Sequence, residues 1–329
     1  MNVQILGTGT YLPQKIRHSF DLEEELGLPK GFIAKRNGVL SRRVADPSKG
    51  ENTSQMCTWA AKKALKAAAL SAEKLDLILF ASASPEQAIP DTSPLIQEKL
   101  GLGESGIPCF SVHSTCLSFL TALDVASSFI ASRRYKNILI TCCEMSSLSL
   151  NPADPKTYTL FGDAAAAVVV GPTRDGSTSR IERTHFSTFG TAAKLTEFPG
   201  CGTLHHPNNP DTKFEHNTFQ MKGKEILRYS LKKAPYAFEK IWPGLSDGVD
   251  DFDIIVPHQP SKVGMMAMSR FLPPEKTVET LSEFGNCVSV SLPLTLDKAI
   301  RSGRLQRGHR VLMFGTGAGL TIAGTVFVY

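Results

Sequence analysis

No run of apolar residues in this chain approaches the ~20 that a helix needs to cross a bilayer. The longest, such as DAAAAVVVG at 163–171, fall well short, and the start MNVQILGTGT has neither basic residues nor a signal-length apolar core. The expectation is a cytoplasmic protein with no membrane partner. The seven cysteines show no C-x-x-C spacing, their number is odd and most lie inside apolar runs, so reduced thiols are expected rather than a disulfide framework or a zinc site. No Pro/Ser/Gln-rich or like-charge block is long enough to be disordered. Clustered Lys/Arg with interleaved aromatics is also missing, which excludes a nucleic-acid surface, although the net charge of +5 favours an acidic partner. What is present is 329 residues, 42% hydrophobic and 20% charged, enough for one large two-part unit or two domains of ordinary size, either with a sizeable core.

Short β-branched runs alternate with helical stretches. Strands are expected at 3–7, 75–82, 108–112, 137–143 and 164–170, with helices at 53–70 and 92–102 between them. After Gly171-Pro172 the pattern restarts, with strands at 180–189, 251–258, 310–317 and 321–329 and helices at about 219–234 and from 261. Such alternation predicts parallel strands with crossover helices. Counting from Cys116, Ile130, Ser132 and Arg134 fall at offsets 14, 16 and 18; counting from Asn286, Ile300, Ser302 and Arg304 fall at the same offsets. The chain therefore divides into two similar halves, 1–172 and 173–329, with Cys116 and Asn286 expected at corresponding helix starts.

The stretch FSVHSTCLSFLTALDVASSFIASRRY at 110–135 passes from a β-like run to a nearly all-apolar helix, with Cys116 at the junction. Such a helix should be buried, and its N-terminus offers unpaired N–H groups and the positive end of the dipole. A thiolate is favoured there, as is the oxyanion of a thioester under attack. Taken alone, Cys116 reads first as a small buried hydrophobe, as most free cysteines are. His258 stands at the C-terminal end of a predicted strand, where parallel sheets bind ligands. Cys116, His258 and Asn286 can thus meet near the centre of a two-repeat protein. Separately, Lys224, Arg228 and Lys232 recur every four residues, placing three cations on one helical face. That face fits a phosphopantetheine-bearing carrier protein, or is merely solvated.

Seven segments in order, GTGTYLP (7–13), RNGV with SRRVA (36–45), STCLSF (114–119), LFGDAAAAVVV (160–170), VPHQP (256–260), FGNCVSVSLP (284–293) and FGTGAGLTIAG (314–324), make this chain resemble the thiolase-like condensing enzymes. It is most similar to the type III β-ketoacyl carrier-protein synthases. The resemblance implies an α/β protein of five-layered αβαβα fold, built from two repeats and acting as a homodimer. It implies Cys116 as the acyl-accepting nucleophile, and His258 with Asn286 as the pair that promotes decarboxylation of a malonyl thioester. It implies no metal and no cofactor beyond coenzyme A or phosphopantetheine thioesters as substrates. The partners implied are acyl-CoA or acyl-carrier protein and malonyl-carrier protein.

Departures matter for naming the reaction. A thiolase is disfavoured, because the C-terminal glycine turn FGTGAG lacks a second cysteine. The resemblance puts Phe32, Arg36 and Lys156 at the coenzyme A site, with Phe32 in place of the usual tryptophan and Pro155 in place of the usual arginine. Ile89, Leu117 and Gly317 are expected at the acyl pocket, Ile89 from the partner subunit. A primer other than acetyl and a specialised pathway are consistent with these changes. Alternatives are acyl transfer to an oxygen or nitrogen acceptor, non-decarboxylative condensation with a carboxylate base such as Glu86, and an inactive carrier-binding partner subunit. GTGAGL at 315–320 is not a dinucleotide loop, since no helix follows it, and His205, His206 and His216 lack the spacing of a metal site.

Overall fold

The computed structural model describes residues 1–329 and is organised by two large sheets. The first contains β1 (Val3–Tyr11), β2 (Leu77–Phe80), β3 (Cys109–Ser111), β4 (Ile138–Glu144) and β5 (Ala164–Pro172), in the order β1-β5-β4-β2-β3. The second contains β6 (Arg180–Thr188), β7 (Ile254–Pro257), β8 (Arg310–Gly317) and β9 (Thr321–Val328), in the order β6-β9-β8-β7.

The expectation of parallel strands throughout is corrected. Parallel pairing is confined to β2 with β3 and β4, and to β7 with β8; β5 runs antiparallel to β1 and β4, and β9 antiparallel to β6 and β8. Parallel neighbours need a long crossover, whereas only the short turn at 318–320 separates β8 from β9. Strands buried on both faces are apolar runs whatever their direction, so the pattern in the sequence was silent on this point. Strand for strand, the two sheets repeat the same directions. A parallel bridge between Ile255 and Thr277 stands where β3 does in the first sheet.

Five main helices are α1 (Thr53–Ala68), α2 (Thr92–Lys99), α3 (Ser118–Ala131), α4 (Gly223–Ile241) and α5 (Ser291–Arg301). Asn52 caps α1 by accepting the Gln55 N–H at 3.1 Å. The apolar residues of α3 and α5 pack with the facing sides of both sheets in one central core. On the opposite side of the first sheet lie Met56, Ala60, Ala64 and Leu65 of α1, and on that of the second Ala237, Phe238 and Ile241 of α4. The layers are thus α1 and α2, sheet, α3 and α5, sheet, α4, which is the five-layered αβαβα fold. Helix α4 continues seven residues beyond its expected end, through Pro235, because Ala237, Phe238 and Ile241 are buried on the second sheet. Tertiary burial there outweighs the local cost of a helical proline.

The internal repeat needs one correction in register. At their C-termini, α3 and α5 agree with the offsets above: Ser132 and Ser302 are the caps, followed by positive φ at Arg133 and Gly303. At their N-termini, Thr115 and Val288 correspond, with φ of 50° and 49°. Ser118 Oγ accepts the Ser114 N–H at 2.9 Å just as Ser291 Oγ accepts the Cys287 N–H at 3.2 Å. Helix α3 has 14 residues and α5 has 11. Cys116 therefore corresponds to Ser289, and Asn286 lies three residues before that position.

Candidate active site

Cys116 occupies a single 3₁₀ turn, Thr115–Leu117, that leads into α3. Leu117 is fully buried and anchors this turn in the central core. Opposite lies the end of β8, where glycine is required by close approach. A Cβ on Gly315 would stand 2.4 Å from His258 Cβ and 3.4 Å from Leu117 Cδ2, and one on Gly317 would stand 2.9 Å from Thr115 Oγ1. The glycine turn thus brings the cysteine segment and the histidine segment against a single piece of backbone.

His258 follows β7 and extends its ladder by one bond, its N–H donating to Phe314 O at 2.7 Å. The residue is 2% exposed and its Nδ1 has no hydrogen-bond partner. Burial pushes the imidazole pKa down from 6.5 to about 4, so the ring is neutral at pH 7. Asn286, 4% exposed, forms a bridge with Phe161, and its N–H donates to Leu160 O at 3.0 Å. Its Oδ1 accepts the Val288 N–H at 2.8 Å while Nδ2 donates to Pro260 O at 3.2 Å. The amide is thereby oriented against the segment that carries His258, with the second N–H of Nδ2 free for a ligand. Gln259 braces the same segment, its Oε1 accepting the N–H groups of Thr280 and Leu281, both at 2.9 Å.

The expectation that the helix start favours a thiolate is corrected. Burial first, then the Glu144 carboxylate, pushes the Cys116 thiol from 9.0 up to about 12, against the opposing pull of the N–H groups of Ala318 and of Cys116 itself. A helix terminus contributes about 0.3–1 kcal/mol. A shift of this size corresponds to ~4 kcal/mol, so desolvation wins. Those two N–H groups are nonetheless the donors that an oxyanion formed at the thiol would meet.

The other expected residues fall in several places. Phe32 and Arg36 lie on the short helix Phe32–Asn37, and Lys156 on the helical turn Pro155–Tyr158. Asn37 Nδ2 ties the two together through Lys156 O at 3.3 Å and Thr159 Oγ1 at 2.7 Å. Arg36 and Lys156 are exposed and Phe32 is half-buried, forming a rim of one aromatic ring and two cations. Ile89 is 87% exposed and so lines no pocket within its own chain. Lys224, Arg228 and Lys232 are all exposed on α4. Glu86 Oε2 accepts the Ser54 N–H at 2.5 Å and so holds the first turn of α1. Two groups were missed in the sequence, the Ala318 N–H and Glu144. The signal for Glu144 was present, as a carboxylate ending the apolar strand ILITCCE.

The class defined by this fold and site is that of the thiolase-like condensing enzymes. Residues 110–190 match the family described as 3-oxoacyl-[acyl-carrier-protein (ACP)] synthase III, and residues 247–329 match its C-terminal counterpart. A β-ketoacyl-[acyl-carrier-protein] synthase III of Syntrophomonas wolfei is 34% identical over 326 residues, covering 98% of this chain and 96% of the relative. That of Aquifex aeolicus is 32% identical over 331 residues, covering 100% of both. The crystal structure of the 3-oxoacyl-[acyl-carrier-protein] synthase III from Aquifex aeolicus superposes with a TM-score of 0.86 over 99% of this chain and 100% of that one, at 32% identity. One from Pseudomonas aeruginosa gives 0.87 at 26% identity, over 100% and 98%. This chain belongs to the β-ketoacyl-[acyl-carrier-protein] synthase III family. No helix is long and apolar enough to cross a membrane.

Proposed function

We propose that Cys116 takes an acyl group from a coenzyme A or carrier-protein thioester, and that His258 and Asn286 then drive decarboxylative condensation with a malonyl thioester. The observation that supports this reading is the approach of the Cys116 turn and of a buried neutral His258 to the glycine turn ending β8, with the Asn286 amide tied to the segment that carries His258 through Pro260 O. In the first step the Cys116 thiol gives up its proton to water as Sγ attacks the thioester carbonyl, the N–H groups of Cys116 and Ala318 hold the oxyanion, and the C–S bond breaks so that the donor leaves as a thiolate that takes up a proton from water. In the second, the malonyl C–C bond breaks, carbon dioxide leaves and its electron pair passes into an enolate. Neutral His258 and the free Asn286 N–H donate to the enolate oxygen, a task in which a carboxylate would repel the charge. The carbanion then attacks the acyl carbonyl, the C–S bond breaks, and Sγ leaves as a thiolate that takes a proton from water to restore the thiol.

On this reading the two halves, 1–172 and 173–329, form one catalytic unit, with Cys116 from the first and His258 and Asn286 from the second. Phe32, Arg36 and Lys156 receive the coenzyme A or phosphopantetheine arm, and the exposed stripe of Lys224, Arg228 and Lys232 docks the acidic carrier protein. The test is the stoichiometry of carbon dioxide and β-ketoacyl product from an acyl thioester and malonyl-carrier protein, which should be one to one. Reversal of the three stripe charges to Glu should raise the KM for the carrier at low salt and leave kcat unchanged. Acyl-enzyme without carbon dioxide would shift the reading to an oxygen or nitrogen acceptor. An unchanged KM would reduce the stripe to a solvated face.

We propose a homodimer on related grounds. Strand β3 ends the first sheet with an unpaired edge, Phe110 on it is 38% exposed, and Ile89 stands 87% exposed two residues before Asp91, whose Oδ1 accepts the Ser111 hydroxyl of β3. Pairing of β3 with its counterpart would continue the sheet across a twofold axis and offer Ile89 to the partner's acyl pocket. Phe110→Glu should convert the dimer to a monomer in analytical ultracentrifugation. A monomeric parent chain would refute the assignment.

A further inference from the structure

Glu144 ends β4 and is only 2% exposed, yet it has no cationic partner. Its Oε1 accepts the Ala83 N–H at 2.6 Å and the hydroxyl of Ser289, and its Oε2 accepts the Ser84 hydroxyl at 3.0 Å. Burying a carboxylate without a cation is costly, and the fold offsets this by position. Ser289 is the residue of the second half that corresponds to Cys116, and the turns before α3 and α5 pack against each other. The carboxylate therefore lies at the positive end of α5 and close to the start of α3. Two of its donors, on Ser84 and Ser289, are hydroxyls, each of which can also accept a hydrogen bond. The site therefore satisfies Glu144 with or without its proton.

The thiols of Cys116, Cys142, Cys143 and Cys287 all feel the Glu144 charge, and Asp163 acts on the last two as well. Of these four only Cys116 lies outside the fully buried core. His258, neutral, faces it across the glycine turn. We propose that Glu144 is a positioning residue for Cys116: its charge suppresses the thiolate, and a proton on Glu144, held by Ser84 or Ser289, releases the thiol for attack. Two facts agree with this. Burial pushes Glu144 up from 4.5 to about 7, so it exchanges its proton near neutrality, and its carboxylate is the largest charge acting on the Cys116 thiol. The proposal rests on Cys116 as the nucleophile but is tested separately from condensation.

The test is the rate of Cys116 alkylation by iodoacetamide between pH 6 and 10, read by intact mass against a Cys116→Ala control. Glu144→Gln should react about 3- to 10-fold faster at pH 8, since one pKa unit of the thiol is tenfold in thiolate. The parent should show an inflection near pH 7 that vanishes in the variant. An unchanged or slower profile in a variant that melts like the parent overturns the proposal. If Glu144→Gln does not fold, Ser289→Ala serves instead. It keeps the carboxylate and removes one donor, so the inflection should move to higher pH, and an unmoved inflection overturns the proposal equally. Alkylation that follows these profiles while no thioester loads would leave the tuning intact and refute the nucleophile's function, so the two failures are distinguishable.

Discussion

Replacing Cys116 with alanine is expected to abolish acyl loading: no mass increment should follow incubation with any acyl thioester, from short to long, branched or dicarboxylic. The parent chain should gain one acyl group. The argument is chemical before it is structural. Transthioesterification needs a group that attacks a thioester and later departs from one, and sulfur does both. Cys116→Ser keeps a hydroxyl under the same N–H groups of Cys116 and Ala318 but supplies a poor leaving group, so it should trap acyl groups slowly or not at all. Loss of a covalent nucleophile that acts as a unit with its neighbours removes nearly all of the catalysis, on the order of 10³-fold or more. The six other cysteines do not compensate: Cys57, Cys142, Cys143 and Cys287 are buried, and Cys109 and Cys201 lie outside the site. An adduct that persists in Cys116→Ala would overturn the assignment.

The second large effect separates the two steps. His258→Ala and Asn286→Ala should each leave acyl loading near the parent level and reduce condensation by ~10²–10³, the loss expected for one donor to a developing oxyanion. Measured by product and by carbon dioxide, both readouts should fall together, because both follow the same enolate. Normal condensation by either variant would exclude its residue from the step. The ionisation of His258 adds a pH dependence whose sign follows from its depressed pKa. Below pH 6.5 the unfolded chain binds a proton on this imidazole that the folded chain refuses until about pH 4, so stability falls as pH drops through that window. The full difference is ~3 kcal/mol. His258→Ala should therefore flatten this part of an acid denaturation curve, even where its cavity lowers overall stability. Above pH 6.5 the ring is neutral in both states and contributes no slope.

Much of this arrangement was legible along the chain, for reasons that particular residues make clear. The apolar strands at 164–170 and 310–317, the helix at 53–70 and the apolar helix following Cys116 are set by local burial pattern and propensity, and they are found where expected. Matching Ile, Ser and Arg near the ends of α3 and α5 revealed the repeat, because helix ends obey local capping rules. The start of α5 was misread by three residues, because a helix that is shorter at its N-terminus leaves no local mark in composition. Strand direction was misread for β5 and β9, since an apolar run is the same in both directions. Glu86 looked available as a base but serves as a helix anchor through Ser54.

By itself, the sequence determined which residues carry reactive groups and which segments must be buried, because chemistry and periodicity are local properties. Only the tertiary structure decided what those groups experience. Cys116 sits at a helix start, yet its thiol is pushed up, not down, because desolvation and Glu144, 28 positions away in sequence, outweigh the helix dipole. His258 is neutral because sheet, glycine turn and core exclude water from it. Charge and solvent act through space, and spatial neighbours come from folding, not from order along the chain.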